Sequence, residues 1–137
     1  MPVLEADFLK GLIDPSDNLH EAAAKALPNL RQEGWLVASS ALLELDLLLK
    51  SEGISEEERI EVFEALEANV TNEMFILLTP HICAEAVSLQ SQYGARIRDF
   101  YFDSLHVAAA LSVDGVIVSS DAYFDKIKEV QRIPLQK

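Results

Sequence analysis

Five short, largely apolar runs are spaced along this chain with helical stretches between them. They are Pro2–Glu5, Trp35–Ala38, Met74–Leu78, Val116–Ser119 and Arg132–Leu135. Each is too short for a stable helix and is bounded by turn residues or helix caps, which predicts strands. Strands that alternate with helices predict a parallel sheet covered on both faces. The expected fold class is therefore α/β, a three-layer α/β/α sandwich with a short parallel sheet. No repeat, low-complexity tract or long Gly/Ser linker interrupts the pattern. The 137 residues read as one domain, residues 1–137.

The helices carry their own signals. One starts near Asp7 and stops at Asp14-Pro15. The stretch from Asp17 to Glu33 is helical, with Pro28 as a kink or break and Gly34 as its end. Ser39 or Ser40 caps a helix over Ala41–Ser51, whose leucines point in every direction and predict a central position. Ser55 with Glu58 is a capping-box pair that opens the next helix, which runs to about Ala68. Thr79-Pro80 starts another, ended by Gly94, and a further helix runs from about Asp99 to Val113. Asp121–Lys128 reads as a short helix.

Four acids stand where burial is expected. Glu5 ends the first strand, Glu44 lies in ASSALLELDLLLK, Asp103 in FYFDSLHVAAAL, and Asp121 follows GVIVSS. A carboxylate is costly to bury unless it is protonated, hydrogen-bonded or paired with a cation. Few basic residues lie near these positions, so a divalent metal is the natural partner. Oxygen ligands select Mg²⁺ or Mn²⁺ over zinc. Glu5 and Asp121 each sit just past a strand end, where open α/β sheets bind ligands. Asp103 shares a helical stripe with Val107 and Ala110, so it faces the protein, and Ala108–Ala110 permit close packing. Glu44 and Asp46 are two residues apart and point to nearly opposite sides of their helix. Each acid alone has an ordinary reading, as a helix cap or a paired core acid. Together they point to metal-dependent phosphodiester chemistry. His20, His81 and His106 lack zinc spacing. His106, three residues after Asp103, is within reach of the site. Arg96 and Arg98 are candidate phosphate contacts.

Composition bounds the setting. No apolar run reaches the ~18 residues of a membrane span. The segment MPVLEADF lacks the basic region of a secretory signal. The single cysteine, Cys83, excludes a disulfide within the chain, fits a reducing cytoplasm and reads as a small buried apolar residue. The net charge of −12 argues against tight, sequence-independent RNA binding by the monomer. Much of that charge lies in SEGISEEERIEVFEALEAN, read as a solvated helix face.

The order LEADFLKGLIDP, SSALLELDLLLK, FYFDSLHVAAAL and VIVSSDAYFDKI resembles the PIN-domain ribonucleases, including VapC-type toxins. FDSLHVAAAL followed by VSSDAYF is its most specific part. The resemblance implies that Glu44, Asp103 and Asp121 are metal ligands and that Ser119 orients them. It places Glu5 where the family usually has Asp. The longer side chain still reaches with adjusted geometry, and Asp7 is the substitute if the register differs. Asp125 would stand at the rim. The resemblance further implies RNA as substrate, an antitoxin as a possible partner and a homodimer.

Two other readings compete. The Glu5-Ala6-Asp7 triplet has the place of a D-x-D phosphatase motif, but the nucleophilic position is Glu and the later Lys motif is missing. A PIN-like module that binds metal or a partner without cutting RNA is the stronger rival, favoured by Glu5 and by the acidity.

Overall fold

A computed structural model describes residues 1–94 and 97–135, with the side chains of 97–100 outside the description. Five strands form one parallel sheet: β1 (Val3–Leu4), β2 (Leu36–Ala38), β3 (Phe75–Ile76), β4 (Val116–Ser119) and β5 (Gln131–Pro134). Their order across the sheet is β3-β2-β1-β4-β5. The chain therefore steps outward in one direction after β1 and in the other after β4. The crevice between the carboxyl ends of β1 and β4 is the switch point, where such sheets hold ligands.

Six helices cover the two faces: α1 (Ala6–Ile13), α2 (His20–Glu33), α3 (Ser40–Ser51), α4 (Glu56–Asn69), α5 (Pro80–Tyr93) and α6 (Ile97–Leu111). Strand side chains alternate between faces. Leu4, Val37 and Val118 join the core beneath α1–α4, with Phe8, Leu9, Leu45 and Leu66. Val3 and Ala38 meet Ala109 and Ala110 of α6 on the opposite face. Ile117 packs there with Ile82, Ala86 and Leu89 of α5 and with Phe124. The alanines let α6 lie close against the strands, as the sequence predicts. The expected α/β/α sandwich is present.

Local signals act as expected at several ends. Gly34 ends α2 with φ 85°, and a side chain there would meet the Met1 sulfur. Ser55 Oγ accepts from the Glu58 amide at 3.2 Å, and Thr79 Oγ1 accepts from that of Ile82 at 3.3 Å. Other expectations are corrected. α2 begins only at His20, because Asp17 instead closes a turn onto the Leu19 amide at 2.9 Å. The helix then runs through Pro28. Ser39 occupies the start of α3 but makes no side-chain cap, since its own backbone is already helical. α3 is not central all round. Ala41, Leu45 and Leu49 are buried, whereas Leu43 is 59% exposed and Leu47 48%. Neighbouring elements meet only one side of this helix. Cys83 is exposed: α5 buries Ile82, Ala86 and Leu89, and position 83 is rotated off that stripe. The segment after Asp121 is a 3-10 turn, Ala122–Lys126, rather than a longer helix. No described helix is long and apolar enough to cross a membrane.

Candidate metal centre

The site starts from register. Leu4 pairs with Val118 across β1 and β4, so Glu5 and Ser119 are the next residues along, side by side. Alternation turns both toward the α6 face. Ser119 Oγ donates to Glu5 Oε2 at 2.5 Å. The same hydroxyl accepts from the Asp121 amide at 3.0 Å, which ties the loop after β4 to the acid after β1. Asp121 Oδ1 accepts from the Tyr123 amide at 2.9 Å, capping the 3-10 turn. Its side chain is exposed.

α6 supplies the opposite wall. Asp103 and His106 are three residues apart and lie on one face of the helix. His106 is fully buried, and its Nδ1 lies 3.3 Å from Glu5 Oε1. Glu44 is half-buried on α3 and close enough for its charge to act on Glu5, Asp103 and His106. Asp46 points elsewhere, accepting from Arg59 Nε of α4 at 2.9 Å. That divergence is the one expected from their spacing.

Asp7 enters as well. Its Oδ2 accepts from the Ser120 amide at 2.9 Å and from Ser120 Oγ at 2.6 Å. Both positions in question after the first strand, Glu5 and Asp7, thus face the β4 loop and share Ser119 Oγ, which also reaches Asp7 Oδ2 at 3.5 Å. Asp125 stands apart at the edge, held by Arg132 Nε and Nη2 at 2.9 Å each. Arg132 Nη1 also donates to the Ser119 carbonyl at 3.0 Å. Arg96 and the Arg98 side chain lie outside the described residues. The sequence places His106 within reach of the site without naming it a ligand, and does not single out Ser120. The signal for His106 was its helical spacing from Asp103, and for Ser120 its place beside Ser119.

The electrostatics are those of crowded, buried acids. Burial first, and then the charge of Asp7, push the Glu5 carboxyl well above the usual carboxylate range. Glu44 and Asp121 add to this, while the Ser119 hydrogen bond opposes it. Asp103 is pushed up to about 8, by burial and then by Glu5 and Glu44. Burial likewise raises Glu44, against the pull of His106. Burial pushes His106 down, although Glu44, Asp103 and Asp7 act the other way.

Such a group suits a divalent cation. Ligand atoms of Glu5, Asp103 and His106 all lie within 4.8 Å of one another, a spacing one ion can span. Asp7 Oδ1 is buried with no hydrogen-bond partner among the described residues, a costly state for a carboxylate oxygen that a cation would relieve. Among those residues, none of Glu5, Glu44, Asp103 and Asp121 forms an ion pair with Lys or Arg.

The sequence pattern of the PIN domain family matches residues 4–130. The chain belongs to the PIN domain family. Its fold is similar to that of VapBC2 from Rickettsia felis, solved bound to a DNA fragment from its promoter. That match has a TM-score of 0.72 at 13% identity and covers 98% of each chain. FitAcB from Neisseria gonorrhoeae is similar at a TM-score of 0.71 and 15% identity, over 97% of this chain and 96% of that one. FitAB bound to an IR36 DNA fragment is similar at 0.67 and 15% identity, over 98% and 94%. No curated protein matches the chain significantly.

Proposed function

We propose that this PIN-domain chain is a divalent-metal-dependent endoribonuclease and the toxin of a toxin–antitoxin pair. What supports the reading is that ligand atoms of Glu5 and Asp103 lie within 4.8 Å of one another at the sheet's switch point, that the charges of Glu44 and Asp121 act on both, and that no Lys or Arg is ion-paired to these acids among the described residues. Glu5, Glu44, Asp103 and Asp121 would hold Mg²⁺ or Mn²⁺. When bound, that ion lowers the pKa of a water and stabilises charge on the scissile phosphate. Ser119 orients Glu5 through its 2.5 Å hydrogen bond. Asp7 fixes the loop that carries Asp121 by holding Ser120. Arg132, tied to Asp125 and the Ser119 carbonyl, braces the loop after β4. Single-stranded or structured RNA is the proposed substrate, and the cytoplasm the proposed setting.

The partner reading rests on the family and on the similar VapBC2 and FitAB assemblies. An open groove between α3 and α4 suits a basic-armed antitoxin. Leu42, Leu43, Ile60 and Phe63 form its apolar floor, and acids including Asp46 and Glu64 form its rim. A homodimer is proposed with it.

The test is cleavage of a broad RNA panel by the purified chain with Mg²⁺, Mn²⁺ or a chelator. The reading expects metal-dependent internal cuts that Asp103→Asn abolishes, a loss of several kcal/mol of charge stabilisation. A protein that binds Mn²⁺ and cuts no RNA would be the non-catalytic module instead.

A further inference from the structure

Resting on the metal reading above, we propose that His106 is itself a ligand through Nδ1, making a mixed nitrogen–oxygen site that favours Mn²⁺ over Mg²⁺. The first argument is spacing. His106 Nδ1 stands 3.3 Å from Glu5 Oε1. A neutral imidazole N–H on a carboxylate oxygen spans about 2.7–3.2 Å, so this contact is a long hydrogen bond at most. Two neighbouring donors on one ion, each about 2.1–2.2 Å from it, sit about 3 Å apart. The observed contact also fits two donors on one ion, and Asp103 completes a set whose ligand atoms lie within 4.8 Å of one another.

The second argument is the setting of the ring. His106 is fully buried, with its centroid 6.5 Å from that of Phe102. The packing of α6 therefore holds it facing Glu5. Its other nitrogen, Nε2, meets no hydrogen-bond partner among the described residues. No contact there demands a particular tautomer, so the ring proton can reside on Nε2 while Nδ1 offers its lone pair. The third argument is chemical. Mg²⁺ takes oxygen donors and sheds water reluctantly, whereas Mn²⁺, also mainly an oxygen-binding ion, accepts an imidazole nitrogen at a smaller penalty because it belongs to the transition series. A buried nitrogen in the first shell therefore penalises Mg²⁺ more than Mn²⁺.

Pulsed electron paramagnetic resonance on the Mn²⁺-loaded wild-type protein tests the proposal without relying on any variant. It should show hyperfine coupling to a directly bound nitrogen. A spectrum without that coupling overturns the proposal. His20 faces the Gly11 carbonyl and His81 is exposed on α5, so the coupling should vanish in His106→Leu. Its persistence there also overturns the assignment. Calorimetric titration supplies the second readout. His106→Leu and His106→Asn should narrow the Mn²⁺-over-Mg²⁺ preference about tenfold, mainly by weakening Mn²⁺. An unchanged ratio rejects the nitrogen ligand and leaves the metal site standing. If the wild-type protein binds neither ion, the metal reading itself fails and this proposal falls with it.

Discussion

Asp103 shows most plainly what the site costs the metal-free protein. Its carboxyl is pushed from 3.8 to about 8, so the folded state binds a proton that the unfolded chain releases. A group whose pKa rises on folding adds stability at low pH and loses it as pH climbs through the folded value. Glu5 and Glu44 shift in the same direction. Between pH 7 and 9 His106 is mostly neutral in both states, since burial lowers its pKa from 6.5, so the raised carboxylates dominate the site's contribution. Thermal melts in chelator should therefore fall across that window, by up to about 1.4 kcal/mol per pH unit for each proton held. A flat profile would mean that the acids do not crowd one another. Asp103→Asn removes the charge and keeps the size. At pH 7 without metal it should be more stable than the wild type, on the order of 1–3 kcal/mol by chemical denaturation. A destabilised variant would contradict the burial argument. The acids could be read from the sequence because charge inside an apolar helix violates patterning. His106 is harder to read, because a buried histidine usually just packs. Only the packing of α6 on β1, through Val3, Ala109 and Ala110, brings it to Glu5.

At the scale of elements, the strands and most helix ends followed from local chemistry. Gly34, Ser55, Thr79-Pro80 and Gly94 act where the sequence puts them. Exposure was less legible, because it depends on which neighbours reach an element. The leucines of α3 read as all buried, yet α1, α4 and α6 cover only part of it; Leu43 opens onto the α4 groove, and Leu47 and Leu48 are left exposed. Cys83 misled for the same reason, since one residue's rotation along α5 separates core from solvent. The α4 cap gives a clean control on this scale. Ser55 is exposed and accepts only from the start of its own helix. Ser55→Ala should cost about 1 kcal/mol in denaturant unfolding and leave metal binding and any RNA cleavage unchanged. A loss of metal binding in that variant would couple α4 to the site in a way the contacts do not support.

For the whole molecule, a net charge of −12 and a crowded acidic site act together. Both favour cations, and both oppose RNA until a cation is bound. A divalent ion that binds only the native state should add about 2.7 kcal/mol at 100 times its dissociation constant. Tm should accordingly rise with millimolar Mn²⁺, and the rise should be lost in Asp103→Asn. The most direct measurement is anomalous scattering from crystals grown with Mn²⁺. An ordered ion bonded to Glu5 and Asp103, with Glu44 and Asp121 around it, is the predicted result. A site without an ion at saturating Mn²⁺, or manganese found only on the glutamates of α4, would contradict the account.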